Sequence, residues 1–258
     1  MGVLNVTPDS FSDGGRFVAL DAALEHAHSM IEAGAAIIDV GGESSRPGAA
    51  PIPTEEELRR VLPVIERLAD TRAVISIDTT KAEVMRLAAA AGAGLINDVR
   101  ALREAGALAS ALASHCAVCL MHMQGEPRTM QVAPRYVDVV SEVKAFLSAR
   151  VQACLDAGFA KERLTIDPGF GFGKTQAHNL QLLGHLDEFT GGEWPVVVGL
   201  SRKSMLGRIL GRKDSDRLGA SIALAVMAVL KHACIIRAHD VGATVDALKM
   251  VAAVQTSH

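Results

Sequence analysis

Acidic and amide side chains that directly follow short apolar runs are the first candidates for chemistry in this chain. Asp39, Asp78, Asn97 and Asp167 all stand in such positions. Each of them could instead cap a following helix, which Asp and Asn do well, but Asp39 precedes Gly-Gly and Asp167 precedes Pro-Gly. Carboxylates gathered at one place repel each other unless a cation or a donor-rich ligand lies between them. The set therefore favours a ligand that presents several N–H groups, such as a guanidine-like heterocyclic edge.

Basic side chains follow the last two apolar runs of the chain. Arg202 and Lys203 come shortly after Val-Val-Val-Gly-Leu, where the alternative is that they are merely solvated charges. On the same face we expect three more basic residues, Arg46, Arg237 and His239. Arginine forks match phosphate oxygens and lysine adds a point charge, so the cluster predicts an anion site. Asn5 offers a neutral oxygen that suits a Mg²⁺ ion that keeps most of its waters.

A glycine-rich segment with the sequence Asp-Pro-Gly-Phe-Gly-Phe-Gly-Lys runs from Asp167 to Lys174. Glycines let the backbone approach a flat ligand closely, and Phe170 and Phe172 are candidate apolar walls. A glycine loop alone is a weak signal, but the order of strand, acid, proline and then glycines strengthens it. We therefore predict that this segment forms one side of the pocket.

The apolar runs also predict the elements that must position these residues. Eight such runs alternate with Ala-rich stretches of helical character, and they lead into Asn5, Asp39, Asp78, Asn97, His122, Asp167, Gly199 and Arg237. Continuous β-branched runs between amphipathic helices indicate parallel strands that are buried on both faces. Eight units of this kind predict a single (β/α)8 TIM barrel of the α/β class, with the active site at the C-terminal ends of the strands. Two Gly-rich loops, at residues 7–17 and 41–53, are expected on that face.

The helices are predicted from the same periodicity. Thr54, with Glu57 after it, forms a capping-box pattern at the start of the second helix. Gly34, Gly92 and Gly158 suit helix ends, because glycine tolerates the left-handed conformation. The predicted helices span Leu20–Ala33, Glu55–Ala69, Lys81–Ala91, Glu104–Ser114, Tyr136–Ala157, His178–Glu188, Ser204–Leu210, Asp216–His232 and Thr244–Ala253.

Length and composition narrow the function classes. The 258 residues suit one barrel and no linker divides them, so we predict one domain over residues 1–258. A net charge of −3 argues against a nucleic-acid partner. The longest apolar stretch, Ala220 to Leu230, is too short to span a bilayer, and the start lacks the pattern of a signal peptide, so we expect a cytoplasmic protein. Cys116 and Cys119 are interpreted as buried thiols rather than a redox or metal pair.

Eight motifs, in order along the chain, resemble those of the dihydropteroate synthase family. They read MGVLNVTPDSFSDGG, IIDVGGESSRPGA, SIDT, NDV, CLMHMQGEP, DPGFGFGKT, SRKSMLG and IIRAHDV, and they extend from Met1 to Val241. Several of them are specific individually. The resemblance implies a (β/α)8 enzyme of folate biosynthesis, usually a homodimer. Such an enzyme joins 6-hydroxymethyl-7,8-dihydropterin diphosphate to 4-aminobenzoate, and it forms diphosphate and 7,8-dihydropteroate.

The resemblance also implies roles for the residues at the motif positions. The catalytic residues would be Asp78, Asp167, Lys203, Arg237 and His239. The pterin would contact Asp39, Asp78, Asn97, Val99, Met121, Asp167, Gly171, Gly199 and Lys203. The diphosphate would lie near Asn5, Ser45, Arg46, Arg237 and His239, with Mg²⁺ as the cofactor on Asn5. The aminobenzoate would lie among Phe11, Ser45, Arg46, Pro47, Phe172, Lys203 and Ser204. From these roles we expect a dissociative substitution at the pterin methylene carbon.

The chain departs from the family pattern at several positions. Ser45 stands where most members have Thr, which removes a methyl group from the aminobenzoate and sulfonamide pocket. We therefore expect either a housekeeping enzyme or a sulfonamide-insensitive form. Ala238 replaces a common Val, and this is expected to change only the packing. Most members also have a segment before the first strand, and we expect its absence here to affect stability more than chemistry.

Other functions are compatible with parts of the pattern. A methyltransferase domain that acts on methyltetrahydrofolate has similar Asp and Asn positions but lacks the SRKS and TPDSFSDGG motifs. A Schiff-base aldolase would need an uncharged Lys203, which Asp167 and anionic ligands disfavour. A pterin-binding module without catalysis would use the same residues.

Overall fold

The computed structural model describes residues 1–7, 16–44, 48–211 and 217–256. Within these ranges, eight strands alternate with helices along the chain. The strands are β1 (Gly2–Asn5), β2 (Ile37–Gly41), β3 (Val74–Asp78), β4 (Leu95–Asp98), β5 (Ala117–Met121), β6 (Leu164–Asp167), β7 (Val197–Val198) and β8 (Ile235–Ile236). The helices are α1 (Arg16–Glu32), α2 (Thr54–Leu68), α3 (Ala82–Ala90), α4 (Ala107–Ser114), α5 (Val139–Asp156), α6 (Gln176–Gly184), α7 (Asp187–Thr190), α8 (Ser204–Leu210), α9 (Leu218–Leu230) and α10 (Val241–Gln255).

The strands form a closed parallel ring. β1 to β6 pair in sequence order, and β7 pairs with β8. A parallel bridge between Ile166 and Val196 joins β6 to the β7 side, and a second bridge between Gly2 and Ala238 joins the β8 side to β1. At the second joint, Ala238 N donates to Met1 O at 2.9 Å. The (β/α)8 barrel predicted from the sequence is therefore confirmed, and the carboxyl ends of all its strands lie at one rim.

Apolar side chains on both faces of the strands explain why this ring forms. Ile38, Ile77 and Ile96 are completely buried, and burying a side chain of this size contributes about 1.5–3 kcal/mol. On the helices, small side chains such as Ala27 and Ala88 are also completely buried. Small residues let the helices pack closely against the strands, which agrees with an aromatic content of only 3%.

The capping box predicted for Thr54 and Glu57 is wrong. Helix α2 begins at Thr54, and Pro53 occupies the cap position. The Glu57 side chain is only 1% exposed, and its carboxylate accepts a hydrogen bond from Lys81 Nζ at 2.6 Å. A buried carboxylate needs a partner, so tertiary pairing with Lys81 determines where Glu57 points.

The predicted helix from His178 to Glu188 is wrong in its extent, since two helices, α6 and α7, occupy this region. The turn between them buries Leu186 completely. Helix α6 begins with a capping box, in which the Thr175 side chain accepts from His178 N and the His178 ring accepts from Thr175 N. The helix predicted at Ser204–Leu210 has the bounds observed for α8.

The cysteines are consistent with the sequence interpretation. Cys116, Cys119 and Cys154 are buried free thiols, and Cys234 is an exposed one. Burial raises the pKa of Cys119 well above its ordinary value, so this thiol stays protonated. No helix within the described ranges is both long enough and apolar enough to cross a bilayer.

Candidate active site

A buried ionic network lies inside the barrel near the carboxyl ends of the strands. Asp39 on β2 is completely buried, and it accepts from Ser76 Oγ at 2.6 Å and from Asn97 Nδ2 at 3.0 Å. Arg237, which follows β8, donates from Nε to Asp39 at 2.6 Å and from Nη2 to Asp78 at 2.9 Å. One guanidinium therefore links β8 to β2 and β3, and the Asp39 carboxylate accepts hydrogen bonds from both Asn97 and Arg237.

Burial and mutual repulsion change the acidities in this network. Burial, followed by the charge of Asp39, raises the pKa of Asp78 to about 7. Burial also raises the pKa of Asp167. For Arg237, burial lowers the pKa, but the charges of Asp39 and Asp78 outweigh it and hold the value above the usual range. Arg237 therefore stays a cation, whereas Asp78 changes its protonation near neutral pH.

His239 lies next to this network. Its backbone N donates to Ser201 Oγ at 3.1 Å, and its ring Nδ1 lies 3.1 Å from the same hydroxyl. Burial, followed by repulsion from Arg237, lowers the pKa of His239 to about 4. The ring is therefore neutral at pH 7. When Nδ1 accepts from Ser201, Nε2 carries the proton and is a donor for an anion.

The segment after β6 turns sharply through its glycines. Gly169, Gly171 and Gly173 have φ angles of +71°, +82° and +62°, which glycine adopts without strain. Gly169 N donates to Asp167 Oδ1 at 2.7 Å. A Cβ on Gly169 would stand 1.9 Å from the His122 carbonyl oxygen. The glycines thus let the loop pack directly onto the end of β5 and fix the Asp167 carboxylate.

An apolar wall and a cation meet at Phe172. The Phe172 ring packs against a small buried cluster formed by Val99, Met121, Met123 and Met130. Lys203 Nζ lies 4.5 Å from the centre of the same ring, a cation–π distance. Burial, followed by repulsion from Arg237, lowers the pKa of Lys203 to about 8. A flat ligand beside Phe172 would therefore contact both an apolar surface and a positive charge.

Two interpretations from the sequence are wrong. Phe170 is not a wall of the pocket, because it is only 1% exposed and belongs to the main core. Arg202 does not join Lys203 in a pair of cations, because its Nε donates to Asp240 Oδ2 at 3.0 Å. The backbone at Arg202 is left-handed, with a φ of +55°, so consecutive side chains diverge here. Of these two neighbours, Lys203 is the one that faces the pocket.

Asn5 at the end of β1 lies beside Gly41 of β2. A Cβ on Gly41 would be 3.7 Å from Asn5 Oδ1 and 3.8 Å from Asp78 Oδ2, so the glycine leaves space that an amide oxygen and a carboxylate oxygen share. Among the described residues, no three His, Cys, Asp or Glu side chains come together to hold a metal ion by themselves. Mg²⁺ commonly takes one or two protein oxygens together with waters and substrate phosphates, so Asn5 Oδ1 fits that ion, whereas Asp78 Oδ2 already accepts from Arg237.

The other predicted site residues are placed as follows. Gly199 lies beside Arg237, since a Cβ at Gly199 would be 3.9 Å from that side chain. Gly171 lies against Lys203, with 3.1 Å between its would-be Cβ and Lys203 Cδ. Ser204 is exposed at the start of α8. The predicted residues Phe11, Ser45, Arg46 and Pro47 lie outside the described residues.

The sequence motifs include Lys174 and His122 but assigned neither a role, and the two contact each other beneath the glycine-rich segment, with 2.9 Å between Lys174 Nζ and His122 Nδ1. The signal for Lys174 was its place directly after the last glycine of the motif.

Asp98 adjoins Asn97 in the sequence but has a different role. Its carboxylate accepts from the backbone N of Arg100 at 2.7 Å and of Leu102 at 2.8 Å, so it stabilises the turn after β4.

Taken together, the rim offers two kinds of recognition. Asp78, Asn97 and Asp167 suit the N–H groups of a flat heterocycle. Lys203 and Arg237 suit an anion attached to that heterocycle. Each of these side chains follows a strand or belongs to its last two residues, so the barrel itself brings them together.

Comparisons with known proteins agree with this chemistry. A family model described as pterin binding enzyme matches residues 1–239. The dihydropteroate synthase of Escherichia coli (strain K12) is 55% identical over 254 residues, which covers 98% of this chain and 90% of that protein. A structure of Yersinia pestis dihydropteroate synthase with a sulfonamide drug has a TM-score of 0.94 at 52% identity, and covers 100% of this chain and 94% of that one. A structure of the Xanthomonas albilineans enzyme with 4-aminobenzoic acid has the same TM-score and identity, and covers 100% of this chain and 93% of that one.

The likeness extends over nearly the whole length of the chain and is not confined to one motif. It includes the strands whose carboxyl ends carry Asp78, Asn97, Asp167 and Arg237. The chain therefore belongs to the dihydropteroate synthase family of pterin-binding enzymes.

Proposed function

We propose that this chain is a transferase that joins 6-hydroxymethyl-7,8-dihydropterin diphosphate to 4-aminobenzoate, with diphosphate and 7,8-dihydropteroate as products. The observation that carries the proposal is the meeting of acids and cations at one rim. Asp78 and Asp167 lie close enough to Lys203 and Arg237 to change one another's pKa. Membership of the family supports the same reaction.

The acids and the amide are the proposed pterin site. The pterin ring has a guanidine-like edge, and its N–H groups would donate to Asp167 and Asp78, while Asn97 offers both a donor and an acceptor. Burial raises the pKa of Asp78 and of Asp167, because it disfavours their charged forms. Hydrogen bonds from the pterin would stabilise those charged forms again. Val99 and Met121 would contact the face of the ring, since both belong to the apolar cluster beside Phe172.

The diphosphate leaving group needs its charge neutralised. Arg237 has five N–H donors, and the two that bind Asp39 and Asp78 leave others for phosphate oxygens. His239 would donate from Nε2. Asn5 would hold Mg²⁺, which when bound supplies further positive charge to the diphosphate. Lys203 would lie between the pterin and the incoming amine.

The 4-aminobenzoate site is proposed at the outer side of Phe172. The ring of Phe172 supplies an apolar surface, and Lys203 and Ser204 follow the next strand. Phe11, Ser45, Arg46 and Pro47 are proposed to complete this site, on the strength of the family resemblance. The two substrates would then meet near Lys203, which belongs to both proposed sites.

The proposed reaction is a dissociative substitution. The bond between the pterin methylene carbon and the diphosphate oxygen breaks, and its electron pair leaves with the diphosphate. Asp78 and Asp167 stabilise the cation that develops on the methylene and the pterin ring. The neutral aromatic amine then attacks the methylene carbon, and the new carbon–nitrogen bond forms. The resulting ammonium is acidic and loses its proton, so no strong base is required.

Diphosphate release, measured with and without 4-aminobenzoate, tests the proposed function. We expect release that depends on the amine and an equal amount of 7,8-dihydropteroate. Equal release without the amine would indicate a hydrolase instead. Pterin binding with no release at all would indicate a binding module, and borohydride trapping of a carbonyl substrate on Lys203 would indicate an aldolase.

The response to sulfonamides is proposed to depend on Ser45. Its missing methyl group would enlarge the pocket in which a sulfonamide competes with 4-aminobenzoate. The inhibition constant of sulfamethoxazole, compared with the KM for 4-aminobenzoate in the wild type and in Ser45→Thr, measures this. Equal ratios in the two proteins would show that Ser45 does not set the response.

We also propose that two copies of the chain form a homodimer through the outer faces of α9 and α10. Leu218, Met227 and Leu230 on α9 are 44%, 46% and 54% exposed. On α10, Met250 and Val254 are 66% and 62% exposed. Exposed apolar surface on neighbouring helices is typical of protein interfaces. A second copy related by a two-fold axis would offer the same apolar surface.

The proposed location is the cytoplasm. All four cysteines are free thiols, and three of them are buried. Cytosolic proteins keep their thiols reduced, whereas exported proteins commonly pair them. The thiol state of this chain therefore supports a reducing compartment.

A further inference from the structure

Lys174 ends the glycine-rich segment after β6, and its side chain is only 1% exposed. None of the roles proposed above uses it. Removing an ammonium from water is unfavourable unless hydrogen bonds and opposite charges compensate. The partners of Lys174 therefore indicate what the residue does.

Three acceptors surround the Lys174 ammonium. Nζ donates to Gly169 O at 2.9 Å and to Phe172 O at 3.1 Å, and it lies 2.9 Å from His122 Nδ1. Burial, followed by repulsion from Lys174, lowers the pKa of His122 to about 2, so the ring is neutral and Nδ1 can accept. An ammonium group has three N–H donors, and here all of them have a partner.

Charges around Lys174 control whether it keeps its proton. Burial lowers the pKa of Lys174 to about 7, attraction from Asp167 opposes this change, and repulsion from Lys203 adds to it. Asp167 therefore interacts with one ammonium beneath the glycine-rich segment and with another in the pocket. A neutral Lys174 would have two donors for three acceptors, so protonation strengthens its hold on the segment.

The contacts of Lys174 act on the backbone of Phe172. The Phe172 carbonyl accepts from Lys174, and Phe172 N donates to Gly169 O at 3.1 Å. The glycines on either side of Phe172 both have left-handed backbone. They are held as well, since Gly171 N donates to Asn179 Oδ1 at 2.7 Å and the Tyr136 hydroxyl donates to Gly173 O at 2.9 Å, and Lys174 adds the contact to the carbonyl of Phe172 itself. That direction places the ring 4.5 Å from Lys203 Nζ.

We propose that Lys174 is a positioning residue for the aromatic amine: it holds the carbonyl oxygens of Gly169 and Phe172 and thereby keeps the Phe172 ring beside Lys203. This inference rests on the proposed function, in which 4-aminobenzoate binds against that ring. Of the proposed pterin ligands, Asp78 and Asn97 lie at the carboxyl ends of other strands, β3 and β4, and Asp167, which precedes the segment, accepts from Gly169 N rather than from Lys174. Loss of Lys174 should therefore affect the amine more than the pterin.

Lys174→Met tests this inference, because methionine fills a similar space and has no N–H donor. We expect the KM for 4-aminobenzoate to rise about tenfold or more, since hydrogen bonds from a charged group are lost. The Kd for 6-hydroxymethyl-7,8-dihydropterin diphosphate should change less than about threefold. Lys174→Arg keeps the charge and N–H donors and should restore part of the loss.

Lys144→Met is the matched control. Lys144 is an exposed lysine on α5 whose Nζ lies 3.3 Å from Glu188, so its loss should leave both constants unchanged. An unchanged KM in folded Lys174→Met would overturn the inference. Equal weakening of amine and pterin binding would do the same, since it would indicate general structural support.

Lys174→Gln decides the question if Lys174→Met does not fold. Glutamine is shorter than lysine, has no charge and offers two side-chain N–H donors in place of three, so it cannot replace all the contacts to Gly169 O, Phe172 O and His122. We expect a rise in the KM for 4-aminobenzoate, and a value within about twofold of the wild type would overturn the inference. Failure of the proposed function is a separate result, because the wild type would then form no 7,8-dihydropteroate.

Discussion

At the end of β3, the Asp78 carboxylate accepts from Arg237 at 2.9 Å and faces the space where the pterin is proposed to bind. Asp78→Asn keeps the size of this side chain and removes its negative charge. We expect a loss of about 2–4 kcal/mol in transition-state stabilisation, or roughly 30- to 1000-fold in kcat/KM. Steady-state kinetics with saturating 4-aminobenzoate measure the loss. Turnover close to that of the wild type would exclude the charge-stabilising role.

The same substitution should stabilise the unliganded protein at alkaline pH. Burial and the charge of Asp39 raise the pKa of Asp78 from 3.8 to about 7 in the folded protein. The folded state therefore binds this proton more tightly than the unfolded state, and the stability that it contributes is lost as the pH rises through about 7. Asn has no proton to lose. We expect Asp78→Asn to have a Tm a few degrees above that of the wild type near about pH 8.

Calorimetry at a series of pH values measures this difference in Tm. The two proteins should converge toward about pH 4, where Asp78 is protonated in the folded protein and increasingly so in the unfolded one. A difference in Tm that is the same at both ends of the range would indicate altered packing instead. Together the kinetics and the calorimetry test whether a charge that serves the reaction also weakens the fold.

At the scale of the element, Gly169 in the segment after β6 must be glycine for two distinct reasons, its backbone conformation and its close approach to β5. Gly211, which follows α8, shares only the first reason. Gly169 and Gly211 both have left-handed φ angles, of +71° and +62°. A Cβ on Gly169 would stand 1.9 Å from the His122 carbonyl oxygen, whereas one on Gly211 would meet no described atom within 4 Å. Gly211→Ala should therefore cost about 1–2 kcal/mol, for the backbone conformation alone.

Gly169→Ala should cost more, because the loop must also move away from β5. We expect a loss of at least about 3 kcal/mol in the free energy of unfolding, measured in urea. We also expect weaker binding of 4-aminobenzoate, since Phe172 belongs to the displaced segment. Equal costs for Gly169→Ala and Gly211→Ala would show that the close approach to His122 relaxes without penalty.

The side-chain directions within these loops could not be predicted from the sequence. Phe170 and Phe172 are equivalent in the motif, yet only Phe172 faces the pocket, because the left-handed glycines between and around them set the directions. Arg202 and Lys203 diverge for a similar reason, and Asp240 holds Arg202. Lys174 was missed because its side chain turns back beneath its own loop, which no spacing rule indicates.

At the scale of the whole molecule, the barrel and the position of its reactive rim were predictable. Runs such as Val74–Ile77 are apolar throughout, which indicates strands buried on both faces, and parallel strands bring their carboxyl ends to one side. Asp78, Asn97 and Asp167 could therefore be grouped before their contacts were known. The link from Asp39 through Arg237 to Asp78 could not be predicted, because it joins residues 198 positions apart in the chain.

The proposed dimer is also a property of the whole molecule. Leu230→Arg places a charge in the exposed apolar face of α9, where Leu230 is 54% exposed. We expect this change to convert the dimer into a monomer, because burying an unpaired charge in an interface costs several kcal/mol, on the order of 3–5. Sedimentation velocity measures the mass. Val137→Arg, at a fully exposed apolar position before α5, is the matched control and should leave the mass unchanged.

β7 and β8 pair with each other, and bridges at Ile166–Val196 and Gly2–Ala238 tie them to the other six strands. Lys203 and Arg237 follow these two short strands, whereas Asp78, Asn97 and Asp167 are among the last two residues of strands in the continuous sheet. The residues proposed to hold the departing diphosphate and those proposed to recognise the heterocycle thus lie on separately paired portions of backbone, which Arg237 links through Asp39 and Asp78. A change in the position of β8 is therefore expected to reach Asp39 and Asp78 through Arg237, so that the affinities for the diphosphate and for the heterocycle change together rather than one at a time.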